Sequence, residues 1–358
     1  AALKNTGTIE NFPLGEKDIS ESFLIPQKLY GRDEEIKTLL AAFERVSQCH
    51  RELLLVGGYS GVGKSALVKE IHKPITAKRG NFISGKFDQY QKDIPYYAIS
   101  KAFNELCRLL LSESQEIFKS WQEKIQTAVG NNGQVLIDVI SDLELIIGPQ
   151  PAVPEVEGKE AQNRFNLVFE NFIKAICQPE HPLVLFIDDL QWADAASLNL
   201  LKTILTVESL QTASLLIIGA YRDNEVNPGH SLIMTLGEME KEGAEFETIT
   251  LRNLNQKDVN TLIAETLKLP LNSTKTLTNL VYQKTQGNAF FTTEFLKSLD
   301  KEKLLRFDSQ KRQWQWELTE IEAKNITDNV VELMAGKIAK LEEATQKVLQ
   351  LADRKSVV

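Results

Sequence analysis

Apolar residues in this chain follow two rhythms. One has helical spacing. Ile36, Leu39, Leu40, Phe43 and Val46 fall on one face, which predicts a helix starting near Arg32 or Asp33. Phe165, Val168, Phe169, Phe172, Ile173 and Ile176 obey the same rule, and Leu198, Leu201, Ile204 and Leu205 mark a further helix. The other rhythm is a short unbroken apolar run, seen at residues 53–56, 182–187 and 215–221. Such runs, separated by helices, predict central parallel strands buried on both faces. Residues 81–87 alternate weakly, with Phe82, Ser84 and Lys86 opposite Ile83, Gly85 and Phe87, and predict one more strand. The expected class is α/β, a parallel sheet flanked by helices.

Between these elements the pattern from Tyr96 to Ile147 is mostly helical, with a turn at Gly130-Asn131-Asn132-Gly133. Residues 149–158 carry three prolines and predict a surface loop. After about Asn253 the strands stop. Helices are expected over 255–268, 274–285 and 289–299, then a short hairpin within 304–318, then a helix carrying Val330, Met334, Ile338 and Leu341. This divides the chain into a linker (1–28), a core (29–252), a helical region (253–300) and a final segment (301–358). No internal repeat or low-complexity tract is present.

Composition narrows the class. The 358 residues are 42% hydrophobic and 25% charged, as in a globular protein. No apolar stretch reaches bilayer length, and no secretory leader is recognisable. Cys49, Cys107 and Cys177 are odd in number and widely spaced, which predicts buried thiols in a reducing, cytoplasmic setting. A net charge of −8 argues against a broad phosphate-backbone footprint, so nucleic acid is not an expected partner. The chain begins at Ala1, and residues 353–358 match what a common sequencing adapter would encode. Both ends lead to the expectation of an excised piece whose native sequence continues past Ala352.

The strongest chemical signal is Gly58-Tyr59-Ser60-Gly61-Val62-Gly63-Lys64-Ser65, a full match to the phosphate-binding loop G-x-x-x-x-G-K-[ST]. It follows an apolar strand and opens a helix-forming segment from Ala66, the context the motif requires. Glycines let backbone N–H groups surround phosphate oxygens, and the helix adds its positive end. Lys64 would reach the terminal phosphates of ATP or ADP, and the Ser65 hydroxyl would hold Mg²⁺. Ser60, Val62 and Ala66 complete the expected nucleotide-contacting stretch.

A second signal closes the run at 183–187 with Asp188-Asp189. In open α/β sheets that end of a strand faces the ligand crevice. Asp188 is placed to support Mg²⁺ beside Ser65, and Asp189 to orient the attacking water. The alternative is an acidic turn after a core strand. Arg222 ends the next apolar strand and can sense the γ-phosphate if that strand lies beside the phosphate-loop strand; otherwise it pairs with Asp223 or Glu225 at the surface. Arg32 is a third candidate near the nucleotide, its alternative a helix-start arginine in solvent. Trp192, Trp314 and Trp316 are expected to be packing residues.

Together, Leu29-Tyr30-Gly31-Arg32-Asp33-Glu34-Glu35, the phosphate loop, Phe186-Ile187-Asp188-Asp189-Leu190-Gln191-Trp192-Ala193-Asp194, Gly219-Ala220-Tyr221-Arg222-Asp223-Asn224-Glu225 and Gln286-Gly287-Asn288-Ala289-Phe290-Phe291 resemble a STAND-class AAA-type ATPase domain. The resemblance is to the ATPase module of large bacterial signalling proteins. Those carry a serine/threonine kinase domain before it and sensor and histidine-kinase domains after it, and Gly7-Thr8-Ile9-Glu10-Asn11-Phe12 is similar to the lead-in that follows the kinase. The resemblance implies a P-loop NTPase core, a helical lid and the truncated start of a winged helix. It also implies Mg-ATP binding by Gly58, Gly61, Gly63, Lys64 and Ser65, metal support from Asp188, water activation by Asp189 and sensing by Arg222. The implied activity is slow ATP hydrolysis as a signalling switch, with the parent's other domains as partners and self-association governed by nucleotide. Alternatives are a nucleotide-dependent interaction scaffold without useful hydrolysis and an origin-recognition-type DNA-binding ATPase. One departure stands out: Ala289 occupies a position where the family usually has proline.

Overall fold

The computed structural model describes residues 22–91, 94–154, 156–323, 335, 338–339 and 341–355. The expectations for residues 1–21, including 7–12, for Val330 and Met334, and for 356–358 fall outside these. Among the described residues, chain contacts divide into two compact units, one within residues 32–252 and one within residues 253–350 together with 22–31.

The first unit is built on a five-stranded sheet in the order β2-β3-β4-β1-β5. The strands are β1 (Arg51–Gly58), β2 (Asn81–Lys86), β3 (Leu183–Asp188), β4 (Leu215–Tyr221) and β5 (Phe246–Leu251). Every pairing is parallel. β3 and β4 lie inside the sheet, and all their residues but Asp188 and Tyr221 are buried, as their unbroken apolar runs predict. β5 and the helix Ser231–Lys241 are additions that the sequence pattern did not yield.

Strand alternation sends Leu53, Leu55, Ile83, Leu185, Ile187 and Ile217 to one face, where they join a large core. Phe103, Phe169 and Phe172 from the helices Tyr97–Leu111 and Lys159–Ile176 meet edge-on or tilted within it. Each such ring contributes about 1.5–3 kcal/mol of burial energy. Gly85 permits this packing on β2, because a Cβ there would lie 2.0 Å from the Ala98 carbonyl oxygen. The helix Asp33–Val46 contacts β1 and β4.

The second unit has its own core, in which Val259, Ile263, Leu277, Val281, Phe295 and Leu299 pack with Tyr30 and Trp314. Its helices are Gln256–Leu267, Lys275–Thr285 and Ala289–Lys301, followed by an antiparallel pair, Arg306–Asp308 with Gln313–Gln315. Ile338 and Leu341 are exposed. Gly287 (φ 72°) sits where a Cβ would meet the Leu254 carbonyl at 2.0 Å, and Leu254 N–H donates back to Gly287 (2.8 Å). Asn288 then caps the next helix, its side chain accepting from Phe291 N–H at 3.0 Å.

This explains the Ala289 departure physically. Ala289 is the first helical residue, where proline is favoured because no intrahelical N–H bond is lost. Asn288 (φ −61°, ψ 120°) already has the extended backbone that a following proline demands. Ala289→Pro is therefore expected to raise stability by about 0.4–1 kcal/mol, read as an increase in the denaturation midpoint.

The cysteines correct one expectation. Cys107 and Cys177 are buried, but Cys49 is exposed in the turn before β1. Burial, with Asp142 adding to it, pushes the Cys107 thiol up to about 12, and burial drives Cys177 strongly upward as well. At pH 8 the native protein should present one thiol to a disulfide reagent and three after unfolding. Two or more rapid native equivalents would contradict this burial.

Candidate functional site

Parallel pairing brings the carboxyl ends of β1, β2, β3 and β4 to one edge of the sheet. Lys86 lies opposite Asp188, and Gly57 opposite Tyr221. The expected neighbourhood of Arg222's strand and the phosphate-loop strand is thus present.

At the end of β1 the chain turns through Gly58 (φ 153°), Gly61 (φ 79°) and Gly63 (φ 106°). A Cβ on Gly58 would lie 2.6 Å from the Leu251 carbonyl, whereas one on Gly63 would meet nothing within 4 Å. Gly63 is needed for its backbone angle, and the space above it is open for a ligand. The helix Lys64–Lys69 starts here without a side-chain cap, so no side chain satisfies its first N–H groups. Val62 is buried; Ser60, Ser65 and Ala66 are exposed.

Lys64 is buried and donates to the carbonyls of Gly58 (2.7 Å) and Tyr59 (3.0 Å). Burial lowers its pKa, and the Asp188 charge works in the opposite direction. An anion above the loop would restore the balance.

The two acids separate cleanly. Asp188 Oδ2 accepts from the Ser65 hydroxyl (3.2 Å), while Oδ1 accepts the N–H of Asp189 (3.0 Å). A hydroxyl and a carboxylate side by side are hard oxygen donors of the kind that could hold a Mg²⁺ ion. Asp189 leaves β3 in a left-handed conformation (φ 53°), which turns its side chain into the unit. It is buried and held by Lys86 (3.0 Å), Arg222 Nε (3.3 Å) and the Gln191 amide (3.0 Å). Burial pushes its pKa upward, but Gln191, Lys86 and Arg222 outweigh this and hold it below the usual carboxylate range.

Arg222 makes the surface pair of the alternative reading and a second, inward contact. It pairs with Glu225 (2.7 Å) at the surface and with Asp189 inside, and its guanidinium lies 4.9 Å over the Trp192 ring. Arg32 is not a solvent-exposed helix start. It is buried, donating to the Val62 carbonyl (3.2 Å) and the Arg252 carbonyl (2.5 Å), and so braces the phosphate loop from behind. Trp314 is buried in the second unit, as expected of a packing residue.

The sequence pattern defining the AAA ATPase domain matches residues 28–218. The chain belongs to the AAA ATPase domain family. Hybrid signal transduction histidine kinase G of Dictyostelium discoideum is 32% identical over 407 residues, covering 96% of this AAA ATPase domain chain and 12% of that protein. Histidine protein kinase 1 of Candida albicans is 22% identical over 174 residues, 44% of the chain and 7% of the relative. The chain therefore spans a small part of the length of these curated relatives. Among solved structures, Cdc6p from Pyrobaculum aerophilum aligns at TM-score 0.46 and 10% identity, over 79% of this chain and 65% of that one. A mutant of RuvB from Thermotoga maritima aligns at 0.42 and 14%, over 85% and 75%. As an AAA ATPase domain, the chain is a nucleotide-binding protein of α/β fold.

Two site residues escaped sequence reading. Lys86 ends a weakly patterned strand and gains its role from lying across from Asp188. Gln191 bridges two elements, donating to Asp189 and accepting the Arg222 N–H (3.1 Å). The only available signal for Gln191 was its place inside the Asp-Asp-Leu-Gln-Trp stretch.

Proposed function

We propose that the chain is a STAND-class ATPase module that acts as a slow switch in a longer cytoplasmic signalling protein. The supporting observation is the pairing of Ser65 with Asp188 beside a glycine-lined loop that buries Lys64. Loop N–H groups and Lys64 hold the β- and γ-phosphates of ATP. Ser65 and Asp188 would hold Mg²⁺, which would supply charge neutralisation. Asp189 orients and polarises the attacking water, and Arg222 senses the γ-phosphate.

The clamp on Asp189 supports slowness. A carboxylate with a depressed pKa, tied to two cations, is a weak base until it is released. ATP and ADP then favour different arrangements of the module by their different affinities. The kinase and sensor domains suggested by the resemblance, together with nucleotide-governed self-association, supply input and output. A second reading draws on the same clamp: Asp189 stays locked, and nucleotide serves only to order an interaction scaffold.

Calorimetry with Mg-ATP and phosphate release by the full chain test both. Saturable heat with turnover above background is expected. Heat without turnover favours the scaffold, and no heat removes both readings.

A further inference from the structure

A cavity of about 410 Å³ opens beside the phosphate loop, on the sheet face away from the large core. The helix Lys64–Lys69 and His72 form one wall, with Ser65, Val68, Lys69 and His72 at helical spacing. The even-numbered residues of β2 and β3 form the floor. Register sets Ser84 against Phe186 and Lys86 against Asp188. The size falls in the range of small-ligand sites, about 300–1,000 Å³.

Its chemistry is asymmetric. Val68, Phe82 and Phe186 give an apolar base, and the His72 and Phe82 rings lie 4.4 Å apart. Lys69, Lys86 and Lys101 line the cavity together with Asp188. Lys86 is already paired with Asp189 (3.0 Å) and the Glu105 carboxylate sits on Ser84, which leaves Lys69 and Lys101 as the cations without a carboxylate partner among the described residues. Among the described residues Lys69 has no ion pair, and Lys101 donates only to the Tyr97 hydroxyl. A concentration of positive charge in a chain of net charge −8 is a local feature, not a background. A surface of solvated lysines would not enclose aromatic rings. The edge of β2 is also closed to an added strand at this point, because the Ser84 N–H is taken by Glu105 (2.9 Å).

We propose that this cavity binds a small amphipathic anion, a flat apolar body carrying one carboxylate, phosphate or sulfonate. The body stacks over Phe82, Phe186 and His72, and the anionic group meets Lys69 and Lys101. Ser65, the last residue of the loop, and Asp188 line one end, so the occupant abuts the phosphate site. The site stands whether or not the module acts as a switch.

The chain contains four histidines, so its spectrum has four imidazole Cε1–H signals. Histidine-labelled full chain is titrated with 2-naphthoate, with His72 assigned through His72→Gln. A saturable shift of the His72 signal is expected, with the other three unmoved. Neutral 2-naphthamide should bind at least about 10-fold more weakly, and so should naphthoate to Lys69→Glu/Lys101→Glu, a change of about 1.4 kcal/mol. Both lysines are exposed, so melting temperature and ATP binding serve as fold controls, with Lys69→Gln/Lys101→Gln as the milder pair. No saturable His72 shift, equal affinity for the amide, or unchanged affinity in the folded lysine variants each overturns the proposal.

Discussion

Lys64→Ala weakens ATP and ADP binding by at least about 100-fold, the largest effect on binding expected from any single exchange in this chain. The wild-type ammonium is buried and held by two loop carbonyls. Burial has already lowered its pKa, so the group is poised to gain from a phosphate counter-charge. A charge-assisted hydrogen bond contributes about 1.5–3 kcal/mol, and the side chain can make more than one to a triphosphate. Roughly 2.7 kcal/mol already corresponds to a factor of about 100. Calorimetry reads the loss directly. Affinity within about threefold of wild type, in a variant that melts like wild type, would remove Lys64 from the site.

Asp189→Asn is the complementary case: binding is kept within about threefold while turnover falls by about 10²–10⁴-fold, the usual contribution of a positioned base. The amide preserves shape but cannot polarise water. Stability should fall by about 1–3 kcal/mol, because Asp189 is buried and the neutral amide gives up the charge-assisted contacts with Lys86 and Arg222. The pH dependence follows from the depressed carboxyl. Its contribution to stability is present above its unfolded pKa, near 4, and is lost as pH falls through the lower folded value. The clamp is intact across neutral pH, and the wild-type rate profile should carry no Asp189 limb there. Equal turnover in Asp189→Asn contradicts the assignment.

The sheet's centre was legible because β3 and β4 are buried on both faces, which leaves an unbroken apolar signature. β5 was illegible for the converse reason. At the edge it exposes Glu247, Thr248 and Thr250 and buries only Ile249 and Leu251 fully. The helix Ser231–Lys241 buries just Leu232, Leu236 and Met239, too sparse a stripe to stand out. Among site residues, Gly58 to Ser65 and Asp188 were readable because their chemistry is local to a motif. Lys86, Gln191 and the bracing role of Arg32 depend on register and on contacts distant in sequence, such as Arg32 with Arg252. No pattern along the chain encodes those. Cys49 misled for a related reason: composition predicts buried thiols, but a turn holds this one outside.

The guanidinium of Arg222 over Trp192 has a practical consequence. An indole next to a cation has its emission quenched and shifted, so whatever draws Arg222 toward a γ-phosphate also changes the light this ring gives off. The chain has four tryptophans, and replacing Trp192 with phenylalanine isolates its share. The sensing role proposed for Arg222 can then be followed in real time with no dye attached.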